Sequence, residues 1–231
     1  SLVVVDLTIK LNDTLAATPP GPSNGVSGLT LDNVLVGSNQ SLGERYVFET
    51  ILGRGGMGVV VKARDELLNR HVAIKMLNEE FSENEEAQGI FLTEARAIAT
   101  LQHPNLVGIY DVTVIEGRAM IVFEYVEGKN LDRVLGDSGR LSEAALLRVG
   151  IQMSRALRYL HEQGFIHRDI KPSNIMISTD GEVFLTDFGV AKLVESATVT
   201  SVMAGTPAYM SPEQCASKEL DGRSDQYSLA V

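Results

Sequence analysis

The segment that decides the fold reads His167-Arg-Asp-Ile-Lys-Pro-Ser-Asn174, and Asp187-Phe-Gly189 follows with its aspartate 18 positions after Asp169. Short motifs of this kind occur by chance when they stand alone. Their significance therefore depends on the segments before and after them.

A long amphipathic helix is predicted directly before this segment. Ser142 can cap the N-terminus, the helix runs to about Gln163, and Gly164 supplies a C-terminal stop. Its predicted core face consists of Leu146, Val149, Met153, Leu157 and Leu160. We interpret this helix as part of the core only.

Further upstream, Gly53-Arg-Gly-Gly-Met-Gly58 joins two strand-like runs, Tyr46 to Leu52 and Val59 to Ala63. The spacing is G-x-G-x-x-G-x-V with Val60 in the last place, and its glycines allow backbone N–H groups to approach phosphate oxygens. A dinucleotide-binding turn is the alternative, but it needs glycines between a strand and a helix. Because a second strand follows here, a phosphate-binding hairpin is favoured.

Lys75 lies in the β-prone run His71-Val-Ala-Ile-Lys-Met-Leu77, where alternation places it on one face with Ala73. An isolated lysine at a strand end would be interpreted as a side chain reaching solvent. The next predicted helix, Asn84 to Gln102, changes this interpretation because Glu94 falls on its apolar stripe. A carboxylate on an inward face needs a partner, and Lys75 is the predicted one.

A buried strand, Ala119-Met-Ile-Val-Phe-Glu-Tyr-Val126, ends in the turn signal Glu127-Gly128. This run can carry the chain from one lobe to another. Such a crossing offers backbone groups that can form hydrogen bonds with a nucleobase.

Together with Gly205-Thr-Pro-Ala-Tyr-Met-Ser-Pro-Glu213, these segments resemble the ordered signature set of eukaryotic-type (Hanks-type) serine/threonine protein kinases. The resemblance covers about residues 45–231, and Tyr209-Met-Ser-Pro-Glu-Gln214 looks most like bacterial members. It implies an α+β, bilobal protein-kinase fold: an N-lobe with an antiparallel β-sheet plus one helix, and a mostly helical C-lobe. Neither end of the chain reads as a natural terminus, so we expect the C-lobe to be incomplete.

The resemblance also divides the chain. Residues 1–43 would be an upstream segment and linker, or a disordered tail, and residues 44–231 the kinase domain. Within that domain the N-lobe would cover about residues 44–124 and the C-lobe about 128–231.

Phosphoryl transfer concentrates charge on the γ-phosphate, so its catalysis rests on positioning and electrostatics. By similarity, Asp169 would accept the proton of the substrate hydroxyl, while Lys171 and Thr206 would steady the transferring group. Asn174 and Asp187 would hold Mg²⁺, with Mn²⁺ as an alternative ion, because both offer hard oxygen ligands.

ATP would lie between the lobes. Lys75, held by Glu94, would grip its phosphates, and the backbone of Glu124 and Val126 would pair with the adenine edge. The residues that the resemblance assigns to nucleotide binding are Leu52, Gly53, Arg54, Gly55, Gly56, Met57, Gly58, Val59, Val60, Ala73, Lys75, Glu94, the gatekeeper Phe123, Glu124, Val126 and Met176.

Two threonines are predicted as regulatory phosphorylation sites. Thr198 and Thr200 precede Thr206 and resemble the paired threonines of bacterial relatives. Phosphorylation adds negative charge that could pair with Arg168 and order the loop. The alternative is that these are solvated loop hydroxyls.

The composition limits the classes of partner that we expect this chain to bind. A net charge of -10 provides no electrostatic footprint for nucleic acid. No run approaches the roughly 20 apolar residues that span a bilayer, and the single cysteine requires no oxidising compartment. We therefore expect a cytoplasmic kinase domain, which a full-length protein could anchor to a membrane elsewhere in its chain.

The expected partners are protein substrates with serine or threonine hydroxyls, and a second copy for trans-autophosphorylation. The rival function is a pseudokinase that serves as a binding module. The presence of Lys75, Glu94, Asp169, Asn174 and Asp187 argues against it.

Overall fold

The computed structural model describes residues 41–42, 44–55, 58–115, 117–188 and 207–231. Several predictions fall outside these ranges and remain predictions: those for the upstream segment and for Gly56, Met57, Gly189, Thr198, Thr200 and Thr206.

The first half of the described chain is dominated by a six-stranded antiparallel sheet with strand order β1-β2-β3-β4-β6-β5. Its strands are β1 (Ser41–Leu42), β2 (Tyr46–Gly55), β3 (Gly58–Asp65), β4 (Arg70–Leu77), β5 (Ile109–Ile115) and β6 (Arg118–Glu124). Two helices, α1 (Glu79–Glu83) and α2 (Glu85–Ile98), lie between β4 and β5 in the chain.

Helices dominate the second half. They are α3 (Leu131–Ser138), α4 (Glu143–Glu162), α5 (Pro212–Cys215) and α6 (Gly222–Ala230). A small antiparallel sheet accompanies them, formed in order by β7 (Gly128–Asn130), β8 (Ile175–Ser178) and β9 (Val183–Leu185). None of the helices formed by the described residues combines the length and apolar character that a membrane span requires.

The termini of α4 are those that its sequence predicts. The Ser142 side chain accepts a hydrogen bond from the Ala145 N–H at 3.2 Å, as an N-cap does. At the other end Gly164 takes a φ of 79°, and the Phe165 N–H donates to the Leu160 carbonyl at 2.9 Å. This is a Schellman ending, which uses the tolerance of glycine for positive φ.

For one residue of the predicted α4 core face, the prediction of burial is wrong. Val149, Met153, Leu157 and Leu160 are buried, but Leu146 is 59% exposed. It lies one turn before Val149, near the N-terminus of α4, where the described chain places nothing over it. Helical spacing alone does not reveal how much of a helix is covered by other parts of the protein.

Core clusters lie against both faces of the six-stranded sheet. Val72, Ile74 and Met76 of β4 lie in a cluster with β3 side chains on one face. On the other face Ala73 packs against a larger cluster, which runs from α2 through β6 to α4 and β8. The core is therefore continuous between the sheet and the helical half.

Helix α2 ends at Ile98, earlier than the predicted Gln102. The loop after it connects the two halves of the molecule. Buried Asn105 donates from Nδ2 to the Gln152 side chain on α4 at 2.7 Å and to the Val183 carbonyl on β9 at 2.8 Å. Gln152 also accepts from the Val183 N–H at 2.9 Å, so two amide side chains bind the loop to the helical half.

Candidate active site

The glycine-rich segment is the tip of a hairpin. Strands β2 and β3 pair from Tyr46 opposite Asp65 to Gly55 opposite Gly58. This topology excludes the strand-to-helix turn of a dinucleotide site. A Cβ atom would meet nothing within 4 Å at Gly55, whereas at Gly58 it would overlap the Met76 carbonyl oxygen on β4. Gly58 is therefore needed for strand packing, while Gly55 borders open space.

Four predicted nucleotide residues share one face of the sheet. Val60 lies opposite Lys75 in the β3–β4 pairing, and Ala73 lies opposite Phe123 in the β4–β6 pairing. Side chains two positions apart on a strand point to the same side, so Ala73 and Lys75 lie on that face together. The prediction from strand alternation is confirmed.

The other residues predicted to contact adenine lie on neighbouring segments. Leu52 lies at a register shift of β2 and is 46% exposed. The Glu124 N–H donates to the Gly108 carbonyl at 2.8 Å, and Val126 follows in the connection between β6 and β7. Met176 is in β8 of the small sheet, paired with Asn130.

The segment from His167 to Asn174 fixes the carboxylate of Asp169. Asn174 donates from Nδ2 to the Asp169 carbonyl at 2.8 Å and to Asp169 Oδ2 at 2.9 Å. Lys171 Nζ lies 2.9 Å from the same Oδ2. One amide and one ammonium therefore converge on a single carboxylate oxygen, and both come from the same short loop.

Lys75 forms its ion pair with Asp187, with 2.5 Å between Nζ and Oδ1. No ion pair joins Lys75 to Glu94, both of which the structure describes, so their predicted pairing stays a prediction. Glu94 is only half-buried, so water can meet its charge, which removes the reason for requiring a protein partner. Its role at the nucleotide stays a prediction.

A buried carboxylate on α6 supports the loop from beneath. Asp225 is 1% exposed. It accepts hydrogen bonds at 2.8 Å from the His167 N–H and the Arg168 N–H, and its Oδ2 lies 2.8 Å from His161 Nε2 on α4. Arg168 has a φ of 66°, a left-handed conformation that costs free energy in a residue with a side chain.

The hydrogen bonds of His167 define its tautomer. Its Nδ1 faces the Asp169 N–H at 3.3 Å and must accept, whereas its Nε2 lies 3.1 Å from the Thr186 carbonyl and must donate. Burial lowers the pKa of the His167 imidazole below its usual value, and the nearby Asp225 opposes this only in part. The ring is therefore neutral and rigidly placed.

This arrangement defines the class of protein. A sheet with a glycine hairpin lies over a helical half whose loop carries an Asp-Lys-Asn cluster, which is the architecture of a phosphoryl-transfer enzyme. The sequence matches the protein kinase domain family over residues 46–231. The chain belongs to the protein kinase family.

Relatives agree with this assignment. A probable serine/threonine-protein kinase of Clostridium perfringens is 44% identical over 192 residues, covering 82% of this chain and 28% of the relative. The serine/threonine-protein kinase PknA of Mycobacterium tuberculosis is 42% identical over 198 residues, covering 83% of this chain and 46% of the relative. The chain thus spans less than half the length of these relatives, and they confirm its resemblance to bacterial members.

A solved structure gives the same fold. The crystal structure of the Mycobacterium tuberculosis PknI kinase domain superposes with a TM-score of 0.69 at 26% identity. The match covers 85% of this chain and 73% of the PknI chain. The predicted α+β protein-kinase fold is confirmed.

Sequence reasoning did not assign the residues that bind the loops together. Asn105, Gln152 and His161 gave no signal, because isolated polar residues in helices and loops are usually exposed. Gln214 could have been found, since Ser211-Pro-Glu-Gln214 has the S-x-x-Q spacing of a capping box.

Proposed function

We propose that this chain transfers the γ-phosphoryl group of ATP to the hydroxyl of a serine or threonine side chain in a protein substrate. The observation that carries the proposal is the fixed carboxylate of Asp169, held at Oδ2 by Asn174 and Lys171 at 2.9 Å each. A positioned carboxylate is what a hydroxyl needs in order to lose its proton as it attacks.

In this reaction the substrate oxygen forms a bond to the γ-phosphorus while the bond to the β–γ bridging oxygen breaks. The hydroxyl proton passes to the Asp169 carboxylate, and ADP leaves. Lys171 is beside the same carboxylate, so its ammonium can also stabilise charge on the phosphoryl oxygens. Thr206 is assigned to the same task.

Asn174 and Asp187 suit a magnesium ion chemically. Asn174 is 4% exposed, and its Nδ2 is committed to Asp169, so its amide oxygen is the atom that it offers to a cation. Asp187 adds a carboxylate, and Mg²⁺ typically uses one or two protein ligands together with phosphates and water. When bound, the ion neutralises phosphate charge; Mn²⁺ has the same ligand preference.

The Lys75–Asp187 ion pair supports the assignment of both residues to the phosphate site. Each has the charge that ATP and its metal would engage: an ammonium for phosphate oxygens and a carboxylate for the cation. When Mg-ATP binds, the ion pair between Lys75 and Asp187 must therefore break, so that each side chain can contact the ligand instead. Glu94 is then free to serve as the alternative partner of Lys75.

The adenine ring is assigned to the face that Val60, Ala73 and Phe123 share, between Leu52 above and Met176 below. These side chains are apolar, as a flat aromatic base requires. The backbone at Glu124 and Val126 supplies the polar edge. Residues 53–58 are assigned to supply backbone N–H groups for the phosphates, and Gly55 borders the open space that the phosphates need.

Phosphorylation of Thr198 and Thr200 by a second copy is the proposed regulation. Arg168 directly precedes the base, and phosphate oxygens form strong charge-assisted hydrogen bonds with guanidinium. The double variant Thr198→Ala, Thr200→Ala should show lower activity, measured as phosphate transfer to a peptide. Undiminished activity would leave these hydroxyls as ordinary loop groups.

The test of the main proposal uses the full-length protein with Mg-ATP and mass spectrometry of phosphorylated residues. Asp169→Asn and Asp187→Asn should each lower turnover by orders of magnitude, as should Lys75→Met. Asp180→Asn, the same change at an exposed position between β8 and β9, is the matched control and should keep wild-type turnover.

Two results would contradict the proposal. Wild-type turnover in a folded Asp169→Asn protein would show that this carboxylate is not the base. Nucleotide binding by the wild type without any phosphate transfer would favour the pseudokinase function instead.

A further inference from the structure

The side chain of Gln214 connects α5 to the segment that carries the proposed base. Its Nε2 donates to the Arg168 carbonyl at 2.9 Å, across 46 positions of sequence. Its Oε1 accepts from the Ser211 N–H at 3.0 Å, and the Gln214 N–H donates to Ser211 Oγ at 3.3 Å. One amide thus completes a capping box and also reaches out of its own helix.

The partners of Gln214 determine which end of its amide faces which group. The Ser211 N–H can only donate and the Arg168 carbonyl can only accept, so the oxygen must face the first and the NH₂ the second. Both hydrogen-bonding ends of the side chain are therefore used, and each has a distinct function.

The Arg168 carbonyl belongs to the peptide unit that leads into Asp169. Arg168 has a φ of 66°, and its own N–H donates to Asp225 Oδ1 at 2.8 Å. Asp225 therefore holds the peptide before Arg168, and Gln214 holds the peptide after it. The backbone rotations that could turn Asp169 are restrained from both sides.

The geometry points to Gln214 as a positioning residue for Asp169: it fixes the Arg168 carbonyl and so orients the proposed base toward the substrate hydroxyl. The inference rests on the proposed function, because Asp169 must be the base for its orientation to matter. Gln214 itself acts through the backbone and touches neither nucleotide nor substrate in this assignment.

The chemistry explains why glutamine, and not glutamate, is required here. Both residues complete a capping box, because either can accept from the N-cap N–H. Only glutamine can also donate to a carbonyl. The substitution Gln214→Glu therefore keeps the cap, removes the donor and places a carboxylate oxygen against the Arg168 carbonyl oxygen.

The experiment compares Gln214→Glu, Gln214→Ala and Asp169→Asn in the full-length protein, with peptide and Mg-ATP as substrates. We expect both Gln214 variants to lower kcat by about tenfold, the rate equivalent of one lost hydrogen bond. The KM for ATP should stay within about twofold of the wild type, because the nucleotide site is untouched. Gln214→Glu should melt near the wild-type temperature, since its cap is intact.

Ser142→Ala is the matched control for loss of stability. It removes the N-terminal cap of α4, at the opposite end of that helix from His161, and should lower the melting temperature without changing kcat. If Ser142→Ala lowers kcat as much as the Gln214 variants do for the same loss of melting temperature, the role of Gln214 is merely structural and the inference is overturned.

Other outcomes are equally decisive. Wild-type kcat in Gln214→Glu overturns the inference, and so does a loss confined to Gln214→Glu, because the new charge would then be responsible. Should Gln214→Glu not fold, Gln214→Ala alone decides. An active Asp169→Asn protein would overturn the assignment of the base, a failure distinct from that of Gln214.

Discussion

Removing the Asp225 carboxylate should lower the free energy of unfolding more than almost any other single substitution on α6. Asp225→Ala removes the acceptor, at 2.8 Å, of two backbone donors: the buried N–H of His167 and the partly buried N–H of Arg168. An orphaned buried donor costs about 1–3 kcal/mol, so the two together should cost about 2–6 kcal/mol. A domain has a total stability of about 5–15 kcal/mol, so this is a large share.

Asp225→Asn gives a graded version of the same perturbation. The amide keeps one acceptor oxygen, so only one of the two N–H groups loses its partner, and its NH₂ faces a donor. We expect a loss of roughly half that of the alanine variant, about 1–3 kcal/mol. Asp221→Asn is the matched control on the same helix: Asp221 is exposed, it caps α6, and asparagine caps equally well.

The assay is urea unfolding of each full-length variant, followed by circular dichroism and by kinase activity. The expected order of stability is wild type and Asp221→Asn together, then Asp225→Asn, then Asp225→Ala. Because the same carboxylate holds the Arg168 backbone, activity should fall below the level that the folded fraction predicts. A loss below about 1 kcal/mol in Asp225→Ala would refute the reasoning, since water would then be replacing the lost acceptor.

Three further predictions concern other sites. Burial lowers the pKa of His167 in the folded state, so the unfolded chain binds the proton more readily; stability should rise as the pH increases toward the usual histidine pKa of 6.5, and His167→Asn should flatten this rise in urea midpoints. Gly58→Ala should lower the melting temperature because its Cβ would overlap the Met76 carbonyl, whereas Gly55→Ala should melt normally and weaken only ATP binding. Leu147, 58% exposed on α4, should promote self-association of this 231-residue chain, so Leu147→Glu should reduce its light scattering.

The elements that the sequence predicted correctly depend on local patterns. Strand alternation placed Ala73 and Lys75 on one face because the period of a strand is fixed by its backbone. Ser142 and Gly164 marked the ends of α4 because capping is a contact between near neighbours. The hairpin at Gly53 to Gly58 followed for the same reason, since two adjacent strand-like runs have few other ways to pair.

What the sequence could not settle concerns contacts between residues that are far apart in the chain. Lys75 could meet Glu94, 19 positions away, or Asp187, 112 positions away, and alternation gives only its face, not its partner. Leu146 satisfies the apolar period of α4 although the described chain leaves it exposed. In both cases the answer depends on which other element is placed opposite, and a periodic pattern carries no information about that.

The strain at Arg168 shows why those distant placements matter for chemistry. A left-handed residue with a side chain costs about 1–3 kcal/mol and persists only where its surroundings hold it. Here the holding groups are Asp225 on α6 and Gln214 on α5, which lie 57 and 46 positions from Arg168. The conformation next to Asp169 is therefore not a property of its own loop. It is stable only while α5 and α6 are docked, so any change that loosens either helix should disturb the base before it unfolds the chain.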